Sequence, residues 1–168
     1  LNRVLSIAGS DSSGGAGAQA DLKTITALGG YALSVLTAIT VQDTVRVHDV
    51  VPLPSSLIAA QLACVLADPG TDAIKTGMLV NAAIIHAIAA VLAQQPCALP
   101  LIVDPVILST SGRPLLDPDG VAALATLYPS VTLLTPNAQE AALLCGRPVE
   151  TLDDMRRAAG HLLERGVQ

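Results

Sequence analysis

Glycines, carboxylates and a lysine stand just beyond apolar runs in this sequence. The first such stretch is Gly9-Ser10-Asp11-Ser12-Ser13-Gly14-Gly15-Ala16-Gly17. It follows an apolar run and opens a helical pattern, so its backbone N–H groups are expected to face an anion or polar ligand. The alternative is a glycine-capped strand–helix connection. Gly15-x-Gly17-x-x-Ala20 formally matches a dinucleotide fingerprint, but Gly15 stands six positions after Gly9 rather than directly behind the strand. No Gly-Lys-[Ser/Thr] follows.

Asp21 lies two turns into that helix, and Gln42 ends the next apolar run at the same edge of the sheet. A carboxylate and a carboxamide meeting there can read the donor/acceptor edge of a heterocycle. Equally, Asp21 is an acid favoured near a helix N-terminus and Gln42 a loop hydrogen-bonder. Asp104 follows Leu101-Ile102-Val103 and precedes Pro105. That place suits Mg²⁺, which takes few carboxylates plus phosphate and water; Asp-Pro is also a common turn opener. Thr135-Pro136-Asn137-x-x-Glu140 reads either as a second acidic element or as a cap with its N3 partner. Lys75 closes another apolar run, where it can neutralise phosphate or simply be solvated.

The elements that must carry these residues alternate. Strands are expected over residues 4–8, 32–41, 73–76, 101–103 and 131–134. Helices are expected over 15–28, 55–67, 81–93, 117–127, 137–144 and 151–165. Gly29-Gly30, Asp68-Pro69-Gly70 and Cys145-Gly146 punctuate them. Strand–helix alternation with apolar strands predicts an α/β domain, a largely parallel sheet and helices on both faces. Ligands then belong at the carboxyl ends of the strands. The last helix ends where the alternation requires another strand, so residues 1–168 read as one truncated domain.

Composition narrows the function. Hydrophobic residues make up 51% of the 168 and charged residues 14%, which excludes a disordered chain. Nine Lys+Arg against 14 Asp+Glu leave a net charge of −5 and no basic stripe, arguing against nucleic acid. With no Trp or Phe and 2 Tyr there is no base-stacking platform. The 3 cysteines and 3 histidines are widely spaced, so neither a disulfide framework nor a zinc site is expected, and a reducing cytoplasm is the simplest setting. Residues 76–103 carry no charge, but Asn81, His86, Gln94, Gln95, Pro96 and Pro100 interrupt them. A buried helix and strand are expected there, not a membrane span.

Together these strings resemble the hydroxymethylpyrimidine/phosphomethylpyrimidine kinases of thiamine biosynthesis, within the ribokinase-like superfamily. The resemblance is carried by Ala8-Gly9-Ser10-Asp11, Gly14-Gly15-Ala16-Gly17-Ala18-Gln19-Ala20-Asp21-Leu22-Lys23, Thr37-Ala38-Ile39-Thr40-Val41-Gln42, Lys75-Thr76-Gly77-Met78-Leu79, Val103-Asp104-Pro105-Val106, Ser111-Gly112 and Thr135-Pro136-Asn137-x-x-Glu140. It implies a three-layer α/β/α sandwich and ATP- and Mg²⁺-dependent phosphorylation of 4-amino-5-hydroxymethyl-2-methylpyrimidine, then of its monophosphate. It implies that Gln42 and Asp21 bond the aminopyrimidine edge, that Gly9 approaches with its backbone, and that Met78 and Val106 line the ring pocket. Asp104 and Glu140 would organise Mg²⁺ and phosphate, with Asn137 and Lys75 on the nucleotide side. The loop over residues 109–114 would close over the nucleotide, and a homodimer is implied.

The chain departs from the family at Asp43 and Ile107, where Asn and Met are usual. It also contains nothing like the family's late His-Gly-Thr-Gly-Cys segment, which holds the transferring phosphoryl group and the catalytic Cys. No catalytic residue is therefore expected within residues 1–168, which should bind but not turn over. The competing readings are a pyridoxal or pyridoxine kinase, a Rossmann-type NAD-dependent oxidoreductase using Gly15, Gly17 and Asp43, and a non-catalytic pyrimidine-binding module.

Overall fold

Leu5, Ser6, Ile7 and Ala8 follow one another along a strand, and none is exposed to solvent. Consecutive strand residues point to opposite faces, so both faces of that strand are covered. In the computed structural model, which describes residues 1–109 and 111–168, it is β1 (Arg3–Ser10). The chain continues through α1 (Gly17–Ala27), β2 (Tyr31–Gln42), β3 (Val47–Pro52), α2 (Ser55–Ala67), β4 (Ala73–Thr76) and α3 (Ala82–Leu92). It ends with β5 (Leu101–Val103), α4 (Pro118–Ala123), β6 (Leu133–Leu134), α5 (Ala138–Cys145) and α6 (Leu152–Glu164).

The sheet order is β3-β2-β1-β4-β5-β6. β1 pairs parallel with β2 and β4, β4 with β5, and β5 with β6; only the β2–β3 pair is antiparallel. The winding therefore reverses between β1 and β4. In an open α/β sheet, that reversal leaves a crevice at the carboxyl ends of the strands.

A core of aliphatic side chains holds the layers together. Leu5, Ile7, Ile58, Leu62, Ile74, Ile84, Ile85, Ile88 and Leu101 are almost wholly buried in it. Each such side chain contributes about 1.5–3 kcal/mol on leaving water. Tyr128 is the one aromatic residue of that core, and the Arg165 guanidinium lies over its ring, 5.1 Å from the centroid.

Three expectations about the elements need correction. Residues 47–52 form β3, an edge strand that the apolar pattern did not announce, because the exposed polar pair His48 and Asp49 interrupts its apolar run. The helix expected over 117–127 is α4, followed by a tighter 3₁₀ turn at Leu124–Thr126. The strand expected over 131–134 shortens to β6, because residues 128–130 still turn. No helix among the described residues is long and apolar enough to cross a membrane.

Candidate functional site

The crevice at the switch point is a cleft of about 400 Å³. Its floor comes from the ends of β1, β4 and β5, and one side from α1. Gly9, Asp21, Gln42, Lys75, Met78, Asp104 and Val106 all line it, although they come from five separate segments of the chain.

Close packing shapes the floor. A Cβ on Gly9 would stand 2.3 Å from Met78 Cε, so any larger residue there would push the end of that side chain into the cleft. Gly17 is more constrained: its φ is +58°, and a Cβ there would meet the Gly9 carbonyl oxygen at 2.3 Å. The start of α1 thus rests directly on the end of β1.

The Ser13, Gly14, Gly15 and Ala16 amides of the glycine loop are taken up within the loop rather than turned to a ligand, contrary to expectation. Asp11, 3% exposed, occupies its concavity. The Ser13 amide donates to Asp11 Oδ1 at 2.8 Å, while the Gly15 and Ala16 amides donate to Oδ2 at 3.0 and 2.7 Å. The Ser13 hydroxyl donates as well. Burial raises the Asp11 carboxyl, yet these hydrogen bonds together hold it below the ordinary carboxylate range. The sequence signal for this was the Asp-Ser-Ser-Gly-Gly string itself, since Asp bonds the amide two residues on.

A polar row runs under α1. Ser6 of β1 and Lys75 of β4 are register partners, and Lys75 pairs with Ile102 of β5. Asp104 emerges two residues beyond Ile102 on the same face. Asp21 reaches this row from α1. Its Oδ2 accepts from Ser6 Oγ at 2.6 Å and from Lys75 Nζ at 3.0 Å, and its Oδ1 accepts from Nζ at 3.1 Å. Lys75 is therefore the partner of Asp21 in this structure. Burial raises the Asp104 carboxyl; the Lys75 charge lowers it and the Asp21 charge adds to the rise. The Thr40 hydroxyl donates to the Ser10 carbonyl at 2.8 Å and lies 3.2 Å from Gln42 Oε1, at the rim of the cleft.

Asn137 and Glu140 do not line this cleft. They form a capping box at the start of α5: Asn137 Oδ1 accepts from the Glu140 amide at 3.0 Å and Glu140 Oε2 from the Asn137 amide at 3.0 Å. Glu140 is buried, and its Oε1 accepts from the Ile107 amide at 3.4 Å. It thus braces the turn that carries Asp104 and Val106.

Two loops wall the mouth. Residues 43–47 stand on one side, with Asp43 accepting from the Val45 and Arg46 amides at 2.8 Å each and from His48 Nε2 at 2.6 Å. Those hydrogen bonds, with that of His48 the largest influence, draw the Asp43 carboxyl well below its usual range. Leu108, Ser109, Ser111 and Leu115 form the other side. This second loop is closed by the Ser109 amide on the Arg113 carbonyl at 2.8 Å. Thr110, part of the loop expected to cover a nucleotide, lies outside the described residues. Arg113 donates to the Val47 and His48 carbonyls and so joins the two walls.

Among the described residues no three His, Cys, Asp or Glu gather around a point. That excludes a protein-made metal cage but fits Mg²⁺, which needs one or two carboxylates and completes its shell with phosphate and water. Asp104 is a carboxylate in the cleft, with no hydrogen bond to its side chain among the described residues.

A mostly parallel sheet reversing at β1/β4, with a polar cleft across that point, makes this an α/β ligand-binding domain, and its structural neighbours make it ribokinase-like. Residues 11–168 match the family described as phosphomethylpyrimidine kinase, and the chain belongs to that family. It is 46% identical to the hydroxymethylpyrimidine/phosphomethylpyrimidine kinase of Mycobacterium tuberculosis over 99% of this chain and 61% of that protein. The chain thus spans about three fifths of the length of the curated relatives it first matches. The crystal structure of phosphomethylpyrimidine kinase from Clostridium difficile superposes with a TM-score of 0.91 at 42% identity, covering 99% of this chain and 72% of that one. Pyridoxal kinase from Staphylococcus aureus, in complex with pyridoxal, follows at TM-score 0.88 and 39% identity, covering 100% of this chain and 61% of that one. Family membership excludes the oxidoreductase reading. The structure agrees, since Asp11 fills the loop and Asp43 is occupied within its own turn.

Proposed function

We propose that the protein phosphorylates 4-amino-5-hydroxymethyl-2-methylpyrimidine, and then its monophosphate, with ATP and Mg²⁺ in a thiamine-forming sequence. The observation that carries this is the convergence of Asp21 and Gln42 on one cleft floored by Gly9, Met78 and Val106. A carboxylate accepts from an exocyclic amino group, a carboxamide both donates and accepts, and apolar contacts hold the ring. Asp104 stands at the same cleft, where it would hold Mg²⁺; the ion would neutralise charge on the transferring phosphoryl group.

The chain's own residues bind and orient. Asp21 and Gln42 fix the ring edge, Met78 and Val106 its faces, and the two wall loops keep water out. Glu140 holds the Asp104 turn, and Asn137 caps the helix behind it. Lys75 reaches the phosphate side only through its charge, since its ammonium engages Asp21. No string within residues 1–168 matches the family's phosphoryl-cradling segment, so these residues supply the substrate floor and cation contact. The 3 cysteines are free, which suits a reducing cytoplasm. A second copy of the chain is the proposed partner, supported by the half-exposed cross-strand pair Ile39 and Val51 with Val41 beside them.

Pyridoxal is the competing substrate, favoured by the likeness to pyridoxal kinase. Competition calorimetry decides between them. The aminopyrimidine should displace pyridoxal, and Asp21→Ala should weaken pyrimidine binding by about 30-fold while changing pyridoxal binding little, as expected for a lost charge-assisted hydrogen bond. The reverse ranking would make the protein a pyridoxal kinase.

A further inference from the structure

Asp21 and Asp104 face the cleft with one cation between them. Lys75 Nζ donates to both oxygens of Asp21, at 3.0 and 3.1 Å, and its charge also acts on Asp104. The strand end is cleared for it: a Cβ on Gly77 would lie 3.2 Å from Nζ. Ser6, buried, adds a 2.6 Å bond to Asp21 Oδ2. Oδ2 therefore receives two donors and Oδ1 receives one. A carboxylate oxygen has room for about two donors, so the capacity left to Asp21 is on Oδ1.

We infer that Lys75 is a positioning residue for ring selectivity. Together with Ser6 it holds Asp21 as a fixed acceptor, with Oδ1 left to take an N–H from the ligand. The inference rests on the pyrimidine reading above and deepens it. An exocyclic amino group satisfies the vacant acceptor. A ring carbonyl at the same place sets lone pair against lone pair, and neither partner can turn away. Lys75 is thus a determinant of amino over oxo rings, although its own ammonium is engaged with Asp21 rather than with the ring. Without the ammonium, the Asp21 carboxyl can rotate away, and the oxo ring becomes acceptable.

The test compares binding of 4-amino-5-hydroxymethyl-2-methylpyrimidine and its 4-oxo analogue to the full chain by calorimetry, with thermal melts as the check on folding. The unaltered chain should prefer the amino ring by at least about 100-fold, the scale on which a site built for a hydrogen bond rejects a mismatched partner. Lys75→Met should lower that ratio below about 10-fold, mainly by improving oxo-ring binding, which a purely structural ion pair would not produce. Lys75→Gln, which keeps a donor without the charge, should do the same and serves if Lys75→Met does not fold. A folded variant with an unchanged ratio overturns the role of Lys75 and leaves the pyrimidine reading standing. Failure of the unaltered chain to prefer the amino ring overturns both.

Discussion

The Arg113 guanidinium donates to the Val47 carbonyl oxygen at 3.2 Å and so joins the two loops that wall the cleft. It also donates to the His48 carbonyl and lies 3.6 Å from Asp49 Oδ1. Arg113 itself does not line the cleft. Arg113→Ala should therefore leave the ring contacts intact and release the loops. Hydrogen bonds from a charged donor are worth about 1.5–3 kcal/mol, so ligand dissociation should speed up by about tenfold or more, with association little changed. Stopped-flow binding separates the two rates. An unchanged dissociation rate would show that the walls hold without Arg113.

Asp11 makes the glycine loop a filled nest rather than an open one. Asp11→Ala leaves the Ser13, Gly15 and Ala16 amides without their acceptor, which should cost about 3 kcal/mol given about 1–3 kcal/mol for each unsatisfied buried donor and partial rescue by water. Added sulfate should then raise the melting temperature of the variant more than that of the unaltered protein, by occupying the vacated position. Equal sulfate responses would place the loop's anion affinity elsewhere.

The strand–helix order, the sheet type and the cleft residues Gly9, Asp21, Gln42, Met78, Asp104 and Val106 were legible in the sequence. The order and the sheet type rest on local periodicity, Asp21, Gln42 and Asp104 on the rule that ligands gather at strand ends, and the roles of Gly9, Met78 and Val106 on the family resemblance alone. What was not legible depends on pairing across long separations. Lys75 meets Asp21 only because β1 and β4 are neighbours in register, 54 residues apart for that ion pair. β3 exists because β2 offers it an edge, and its polar pair His48 and Asp49 is exposed. The Asn137–Glu140 spacing favoured a cap slightly over a site, and the structure displays the cap.

Asp104 and Glu140 should separate by role. Asp104→Asn should reduce Mg²⁺-dependent nucleotide binding by at least about tenfold, because a neutral amide replaces the charged oxygen a hard cation prefers. Glu140→Gln can keep the cap contact to the Asn137 amide but sets its NH2 against the Ile107 amide, so it should cost about 1–3 kcal/mol of stability while affecting nucleotide binding less. Nucleotide titration with and without Mg²⁺, beside urea unfolding, measures both. A larger Mg²⁺ defect in Glu140→Gln than in Asp104→Asn would make Glu140 the cation ligand.

The β2–β3 arm leaves Ile39 at 43%, Val41 at 56% and Val51 at 53% exposure. If a second copy covers this face, Val41→Lys should convert dimer to monomer in sedimentation while leaving the melting curve of the monomer intact. A dimer that persists in Val41→Lys places the interface elsewhere.

Arg3 and Asp72 join the first residues of β1 to the approach to β4. The Arg3 side chain and then its amide hydrogen-bond the Asp72 carboxylate, at 2.8 Å and 2.7 Å, and hold its pKa down to about 2. The ionised form is the one the fold favours. The stabilisation is therefore complete above the unfolded value of about 4 and is lost as pH falls from there toward 2. Asp72→Asn should flatten the stability profile across that window and leave its shape above pH 5 unchanged. Both side chains are nearly half exposed, so salt at about 1 M, with a screening length near 3 Å, should shrink the difference between the two proteins. Urea midpoints recorded at pH 2 to 7 give the answer. An acid limb identical in the two proteins would mean that the pair contributes nothing in solution.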